Sequence, residues 1–521
     1  MADNLDIVQW LMALLPVIAV LTLMMVFRWS GGKAGALSWF IAVGIAYFVF
    51  GGNLKLLAVG SLKGLWTTVF ILYIIWGAMA LFNIVEEING FEVIADKFTA
   101  LTGGNRLLQL LVVGWGLTSF IQGVTGFGTP VVVAALLLVG LGFDPVIAAA
   151  ASLLGHAWAV TFGSLGSSYG VLVQLTELSP EGLAFWSSIF LGISCILTGI
   201  GISSLYNGWQ GIKRGFPAVI LMGSSMALTL ILTAVFVLPY IASLVAGVVG
   251  LLVGAVILPR TPWYKPEKEI KQKKAANKPG FHVAFAPYYL LLGIVFGVYL
   301  TPLNDWLSGW QVGLSFPRTE TALGFVNEAV ESYSSIALLT TPGTLIFISS
   351  LLAVVFYKKR GLWKKEYWKK ILGSMVKQAV PSTVTVMTMS MMSVVMMEAG
   401  MINYLARGTA RMAQNIYPLV SPFIGILGTF MTGSNTSSNI LFSALQRDVA
   451  EILGINSLVI AALQTTGGAA GKIICPMTVA LSTGVTGIVG KEGEIIKKTI
   501  LYALAMGLVS GIIGYLVIYT M

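Results

Sequence analysis

Charge is what this chain has least of: only 10% of its 521 residues are Asp, Glu, Lys or Arg, against about 25% in ordinary globular domains. Histidine occurs twice, at His156 and His282, and cysteine twice, at Cys195 and Cys475. Two distant cysteines inside apolar segments give neither a disulfide framework nor a metal cluster. No metal site or cofactor is therefore expected. The apolar segments also lack paired carboxylates and an activated nucleophile, which argues against a membrane enzyme.

What the chain has in abundance is apolar surface, with 57% hydrophobic residues and a mean hydropathy of +0.88. Stretches of the roughly 20 residues that a crossing needs lie near 8–27, 34–50, 65–84, 145–163, 182–205, 217–237, 241–258, 284–300, 336–357, 371–397, 457–490 and 500–519. The fold class predicted is all-α integral membrane, with about twelve transmembrane spans. The stretch 457–490 is too long for one span and is expected to be broken. Acidic residues precede the first apolar run and basic ones follow it, the reverse of a signal peptide, so that run is expected to stay as a span. The net charge of +10 comes from short basic stretches between spans, where it sets topology; nucleic-acid binding is not expected.

The most basic stretches, Arg260 to Gly280 and Lys358 to Lys370, are assigned to the cytoplasm by the positive-inside rule. Alternation then places Met1 outside, Lys213 and Arg214 inside, and the acidic stretch Thr301 to Ser335 outside. Three parts follow: residues 1–259, a basic linker over 260–283, and residues 284–521. The outer two match each other. "TSFIQGVTGFGT" (Thr118 to Thr129) resembles "GTFMTGSNTSSN" (Gly428 to Asn439), and "LGFDPVIAAA" (Leu141 to Ala150) resembles "LGINSLVIAA" (Leu453 to Ala462). On the assigned orientation the first Gly/Thr stretch enters from the cytoplasm and the second from outside, so the repeats are expected to be inverted.

Two apolar half-helices separated by glycines and hydroxyl residues read as a re-entrant hairpin, whose irregular tip is tolerated at membrane depth only in protein or along a cavity. Such hairpins are expected near 107–143 and 419–453. Paired interruptions in two inverted halves point to a transporter's central site, and half-helix N-termini with close-packed glycine favour an anion there. The candidate substrate-binding residues are Gln122, Thr125, Gly126, Gly128 and Thr129 on the first tip and Thr432, Ser434, Asn435, Thr436 and Ser437 on the second. "GVTGFG" follows no strand and is not a dinucleotide motif.

Lys472, in "GGAAGKIICP", adds a charge within the broken span. A charge at mid-bilayer costs roughly 2.5 to 3.5 kcal/mol on insertion scales, so it is expected to face a cavity and a substrate carboxylate. Snorkelling is disfavoured because the flanking glycines give the stem no apolar face. His156, in "LLGHAWAV", is given the corresponding place in the first half, either as a substrate donor and proton carrier or as a satisfied core histidine. Asp144, Glu86, Glu87 and Glu398 are placed at span ends, and the methionines from Met387 to Met401 are assigned to packing.

The chain resembles the L-lactate permease family. The residues that carry the resemblance are "GFGTPVVVAALLLVGLGFDP" (Gly126 to Pro145), "TGSNTSSN" (Thr432 to Asn439) and "TTGGAAGKIICP" (Thr465 to Pro476), with "NGWQGIK" (Asn207 to Lys213) and "TTPGT" (Thr340 to Thr344) in support. The resemblance implies a secondary transporter of 2-hydroxymonocarboxylates such as lactate or glycolate, working by proton symport with alternating access in a prokaryotic plasma (inner) membrane. It also implies an elevator-like fold with inverted repeats. Family members often carry a glutamate in place of Gln122 and an aspartate in place of Asn435, and they differ from "GHAWAVTFG" and "ICPMT" as well. With both acids replaced by amides, His156 becomes the coupling candidate. A Na⁺-coupled or uncoupled organic-anion carrier and an anion channel are the alternative readings. The partners expected are a lactate-like carboxylate, a proton and the lipid bilayer, and the sequence leaves the oligomeric state open.

Overall fold

The computed structural model describes residues 6–27, 29–126, 128–264, 279–299 and 301–520. The chain starts with α1 (Ile7–Met25), capped by Asp6, whose carboxylate accepts from Val8 N at 2.8 Å. Then come α2 (Gly31–Phe48), the long α3 (Leu54–Glu87) and the short amphipathic α4 (Gly90–Leu101). A helix–turn–helix unit follows: α5 (Arg106–Leu111) runs through a π-turn (Val112–Leu117) into α6 (Thr118–Val124), and α7 (Thr129–Gly140) returns. Next are α8 (Pro145–Ala157), α9 (Gly163–Thr176), α10 (Pro180–Phe236) and α11 (Ala242–Leu252), the last extended by a π-turn over Val253–Ile257.

Beyond the basic linker, most of which lies outside the described residues, the chain forms α12 (Phe281–Tyr299), α13 (Leu303–Ser308) and two small antiparallel sheets. It continues as α14 (Pro342–Lys359), the long α15 (Glu366–Glu398), the amphipathic α16 (Met401–Ala413), and a second helix–turn–helix of α17 (Tyr417–Thr432) and α18 (Asn435–Leu453). The last elements are α19 (Ser457–Gly471), α20 (Pro476–Thr486) and α21 (Glu492–Thr520).

Eleven helical stretches among the described residues are long and apolar enough to cross a membrane. About twelve were predicted: 34–50, 145–163 and one half of 180–236 do not appear as separate spans among the eleven, whereas Arg106–Val124 and Met401–Thr432, which overlap the regions expected as hairpins, do. The 57-residue α10 leaves helical geometry at Asn207 and Gly208 (φ 52) and so contains two expected spans. The stretch predicted as one span over 145–163 is instead α8, an irregular turn and α9. Its irregular residues, Trp158 to Phe162, are as apolar as a helix interior, and hydropathy does not register their backbone. The all-α expectation holds for the apolar segments but missed the sheets β1 (Gln311–Phe316) with β4 (Val330–Ala337), and β2 (Thr319–Glu320) with β3 (Val326–Asn327).

The helices pack as two groups. α3 runs against α15, α2 against α15 and α1, and α14 against α3 and α12. Gly60 and Gly64 allow the first of these contacts: a Cβ on Gly64 would lie 2.6 Å from Met391 Cα. The buried Met389, Met392 and Met396 fill the same core. The strands cover one end of this frame, where Trp66 Nε1 donates to Tyr333 O at 3.0 Å and Asn327 Nδ2 to Glu398 O at 2.8 Å. In the second group α7 packs on α8 and α20, while α18 packs on α19 and α9. α10 and α21 each lie across both α8 and α19. The frame meets this group where α3 touches α9 and α15 touches α18.

Candidate functional site

Glycine decides how closely the helix–turn–helix units approach their neighbours. A Cβ on Gly155 of α8 would overlap the carbonyl of Gly114, and one on Gly467 of α19 would overlap the carbonyl of Pro422. Backbone therefore meets backbone along both seams. The first tip runs from Thr125 to Gly128 (φ 84), and a side chain there would run into Leu481 of α20. The second tip is shorter. α17 stops at Gly433 (φ 75), a left-handed conformation that glycine adopts without strain, and Ser434 caps α18 by accepting from Ser437 N at 3.3 Å.

Two interrupted helices lie under these tips. Asp144 caps α8, accepting from Val146 N at 2.9 Å and Ile147 N at 3.1 Å, and Asn456 caps α19, accepting from Leu458 N at 3.0 Å and Val459 N at 3.3 Å. Equivalent capping residues start both. After α8 the chain bends, and Ser164 (φ 49), Leu165 (φ 50) and Gly166 (φ 76) are all left-handed. Such geometry costs a non-glycine residue on the order of 1 to 2 kcal/mol. After α19 the break is Lys472 to Cys475, and Pro476 opens α20.

A polar network joins the second tip to both interruptions. Asn435 Nδ2 donates to Thr161 Oγ1 and to Thr465 Oγ1, each at 3.2 Å. Asn439 Nδ2 donates to Thr465 Oγ1 at 2.9 Å and to Ser168 O at 3.0 Å, and Thr436 shares a hydroxyl hydrogen bond with Ser168 at 2.9 Å. Thr161 and Thr465 are themselves bonded at 3.1 Å. The side-chain oxygens of Asn435 and Asn439 are buried without a partner, a costly state unless something else satisfies them. Lys472 is half-buried and donates to Gly433 O at 2.5 Å.

The structure thus brings Thr432, Ser434, Asn435, Thr436, Ser437 and Lys472 into one neighbourhood. The first tip is separate in its bonding. Gln122 lies against Gly126 and Gly163, where a Cβ would come within 3.1 and 2.7 Å of its Nε2; Thr125 is buried and Thr129 half-buried. His156 is buried; its Nδ1 donates to Ser152 O of the same helix at 2.9 Å, and its Nε2 has no partner. Counted from the matching caps, His156 corresponds to Gly468 and lies a full turn before the position of Lys472. Thr161, Ser168 and Thr465 join the network although the sequence reading did not place them in the site. Their signal was hydroxyl residues recurring inside apolar segments.

Glu398 is the last residue of α15, at a span end as expected, and within the protein it is buried and pairs with Lys63 at 2.6 Å. It lines a cavity of about 740 Å³ between the frame and the C-terminal ends of α9 and α18, together with Lys63, Tyr333, Glu177, Arg447 and Asp448. This cavity lies away from the hairpin tips.

Interrupted apolar helices with hydrogen-bonding tips packed against them define a multi-pass membrane transport protein. Its fold resembles the crystal structure of the YdaH transporter of Alcanivorax borkumensis, with a TM-score of 0.50 and 14% identity over 89% of this chain and 87% of that one. The chain belongs to the L-lactate permease family, whose model matches residues 9–521. It is 28% identical to the glycolate permease of Escherichia coli K12, covering 98% of this chain and 95% of that protein. It is likewise 28% identical to the L-lactate permease of the same strain (93% and 92%), and 26% identical to that of Bacillus subtilis 168 (97% and 95%).

Proposed function

We propose that this protein is a secondary active transporter of small monocarboxylates of the lactate and glycolate type, coupled to protons and working by alternating access. The observation that carries the reading is the half-buried ammonium of Lys472 at the break after α19, beside a hairpin tip, in a chain whose relatives are lactate and glycolate permeases. A carboxylate meeting this ammonium gains a charge-assisted hydrogen bond, and the first turn of α18 offers backbone N–H groups for the same anion.

Inverted repeats are the architecture we infer. The series α1, α2, α3, α4 has lengths of 19, 18, 34 and 12 residues, and α12, α14, α15, α16 has 19, 18, 33 and 13. Each series leads into a hairpin, a broken helix and a long helix. The second part of α10 and α11 have no counterpart in the later half, and with them an odd number of crossings separates the series, so the second enters the membrane from the opposite side. In this reading the two hairpins are re-entrant, the basic linker is cytoplasmic, Met1 is outside, and the hairpin group moves as an elevator against the α3–α15 frame. Gln122, Thr125, Gly126, Gly128 and Thr129 supply the second wall of the site, and His156 carries the coupling proton.

Counterflow in proteoliposomes preloaded with unlabelled lactate is the test. Labelled lactate or glycolate accumulates transiently if the protein is a carrier; flux that neither saturates nor responds to preloading identifies a channel.

A further inference from the structure

We propose that Lys472 is also a latch, holding the second hairpin tip shut over Cys475 when no substrate is bound. The latch rests on the carboxylate reading only for what releases it; its geometry stands by itself.

The tip is a two-residue turn, and on this side the Met477 side chain also packs against it, without a hydrogen bond. Gly433 carries no side chain, and its left-handed backbone turns its carbonyl toward the break in the neighbouring helix, where Lys472 Nζ meets it at 2.5 Å. Lys472 is the C-cap of α19, so its own backbone is fixed by bonds to Ala469 O and Ala470 O while its side chain reaches across to the hairpin. Beneath the tip lies Cys475, which is 1% exposed and whose sulfur is 3.5 Å from where a Cβ on Gly433 would stand. The other two N–H groups of the ammonium have no hydrogen-bond partner among the described residues.

An ammonium with one carbonyl and two open donors is a bond that an anion outcompetes. A carbonyl carries a partial charge and a carboxylate a full one, so the ammonium's Coulomb attraction to the carboxylate is the larger. An arriving carboxylate takes the ammonium and frees the Gly433 carbonyl. When the carboxylate leaves, the ammonium returns to the tip. The empty carrier is thereby closed without substrate, which lets it cross back empty and complete net uptake rather than only exchange.

Cys475 is a native reporter. In a Cys195→Ala background, which leaves it as the single thiol, its alkylation by N-ethylmaleimide without substrate measures how often the tip lifts. Lys472→Gln is expected to speed alkylation about tenfold or more, and Lys472→Arg, which reaches the carbonyl and keeps the charge, to leave it slow. Loss of a nearby positive charge by itself makes a thiol less reactive, so acceleration reports exposure. Titration of the thiol in denaturant and a monodisperse elution profile confirm that each variant is intact. Equal alkylation rates in an intact Lys472→Gln protein overturn the latch. Lactate binding measured on the same variants separates the two readings. Lost binding with unchanged alkylation sinks the latch and leaves the carboxylate site standing, whereas faster alkylation with unchanged binding does the reverse.

Discussion

Lys63 of α3 and Glu398 of α15 form a 2.6 Å ion pair with side chains only 5% and 9% exposed. Thr319 also donates to Glu398 at 3.3 Å, and the ammonium of Lys63 lies 5.2 Å from the ring centre of Tyr333. At the opposite end of the same two helices Lys370 of α15 meets Glu87 of α3 at 2.8 Å. Each long helix ends in a glutamate held by a lysine of the other, so the pair is fastened at both ends. The pairs differ in strength. In the second Glu87 is only 11% exposed but Lys370 is 69% exposed, and a lysine in solvent brings the contact nearer to a surface pair, which contributes about 0 to 1 kcal/mol.

Removing one partner of the buried pair leaves an uncompensated charge, which costs about 3 to 5 kcal/mol. Lys63→Met and Glu398→Leu are each expected to lower the thermal midpoint in detergent strongly, and the double variant to recover much of the loss. Lys370→Met is expected to change it little. Single variants as stable as the parent would show that the pair does not hold the frame together.

The backbone seams make a steric prediction. Gly155→Ala and Gly467→Ala each place a methyl on a carbonyl of the neighbouring helix, an overpacking that costs roughly 1 to 3 kcal/mol or more. Gly293→Ala, with nothing within 4 Å of its Cβ position, is the control. Yields of monodisperse protein should fall for the first two and hold for the third.

Lys472→Gln keeps length and hydrogen bonding but removes the charge. If one charge-assisted bond of about 1.5 to 3 kcal/mol is lost, carboxylate affinity falls about tenfold or more. Competition binding on the purified variant measures this, and unchanged affinity removes Lys472 from the substrate site.

Gln122 and Asn435 are amides and do not titrate, so the proton coupling we propose would rest on another group. Uptake is expected to follow an imposed pH gradient, and His156→Gln to abolish that response while leaving counterflow. Asn435→Asp is expected to add a second titrating group to the pH profile. Uptake driven by a Na⁺ gradient and indifferent to pH rejects proton coupling; pH-driven uptake in His156→Gln rejects only the part given to His156.

The turns between α6 and α7 and between α17 and α18 were legible because glycine and hydroxyl residues punctuate apolar runs, and hydropathy registers that contrast. The break between α8 and α9 was not, since an irregular turn built from Trp158, Ala159, Val160 and Phe162 looks like helix interior. Asp144, placed at a span end, caps α8 there. Its role as the cap of α8 becomes plain beside Asn456, which has the same role without the charge. Lys63 and Glu398 lie 335 residues apart, and no local pattern pairs residues so distant. The orphaned oxygens of Asn435 and Asn439 likewise depend on which way each amide faces once α9 and α19 have packed against it.

The cavity of about 740 Å³ has one wall on the fixed pair α3 and α15 and another on the ends of α9 and α18. It is the size of about 25 water molecules at roughly 30 Å³ each. In the elevator motion we propose, a stroke that carries α9 and α18 along the frame would fill or empty it, so solvent would be displaced in every turnover without crossing the membrane. Osmolytes too large to enter the cavity would then favour its collapsed form, and turnover would become sensitive to osmotic pressure even at fixed ion and substrate gradients.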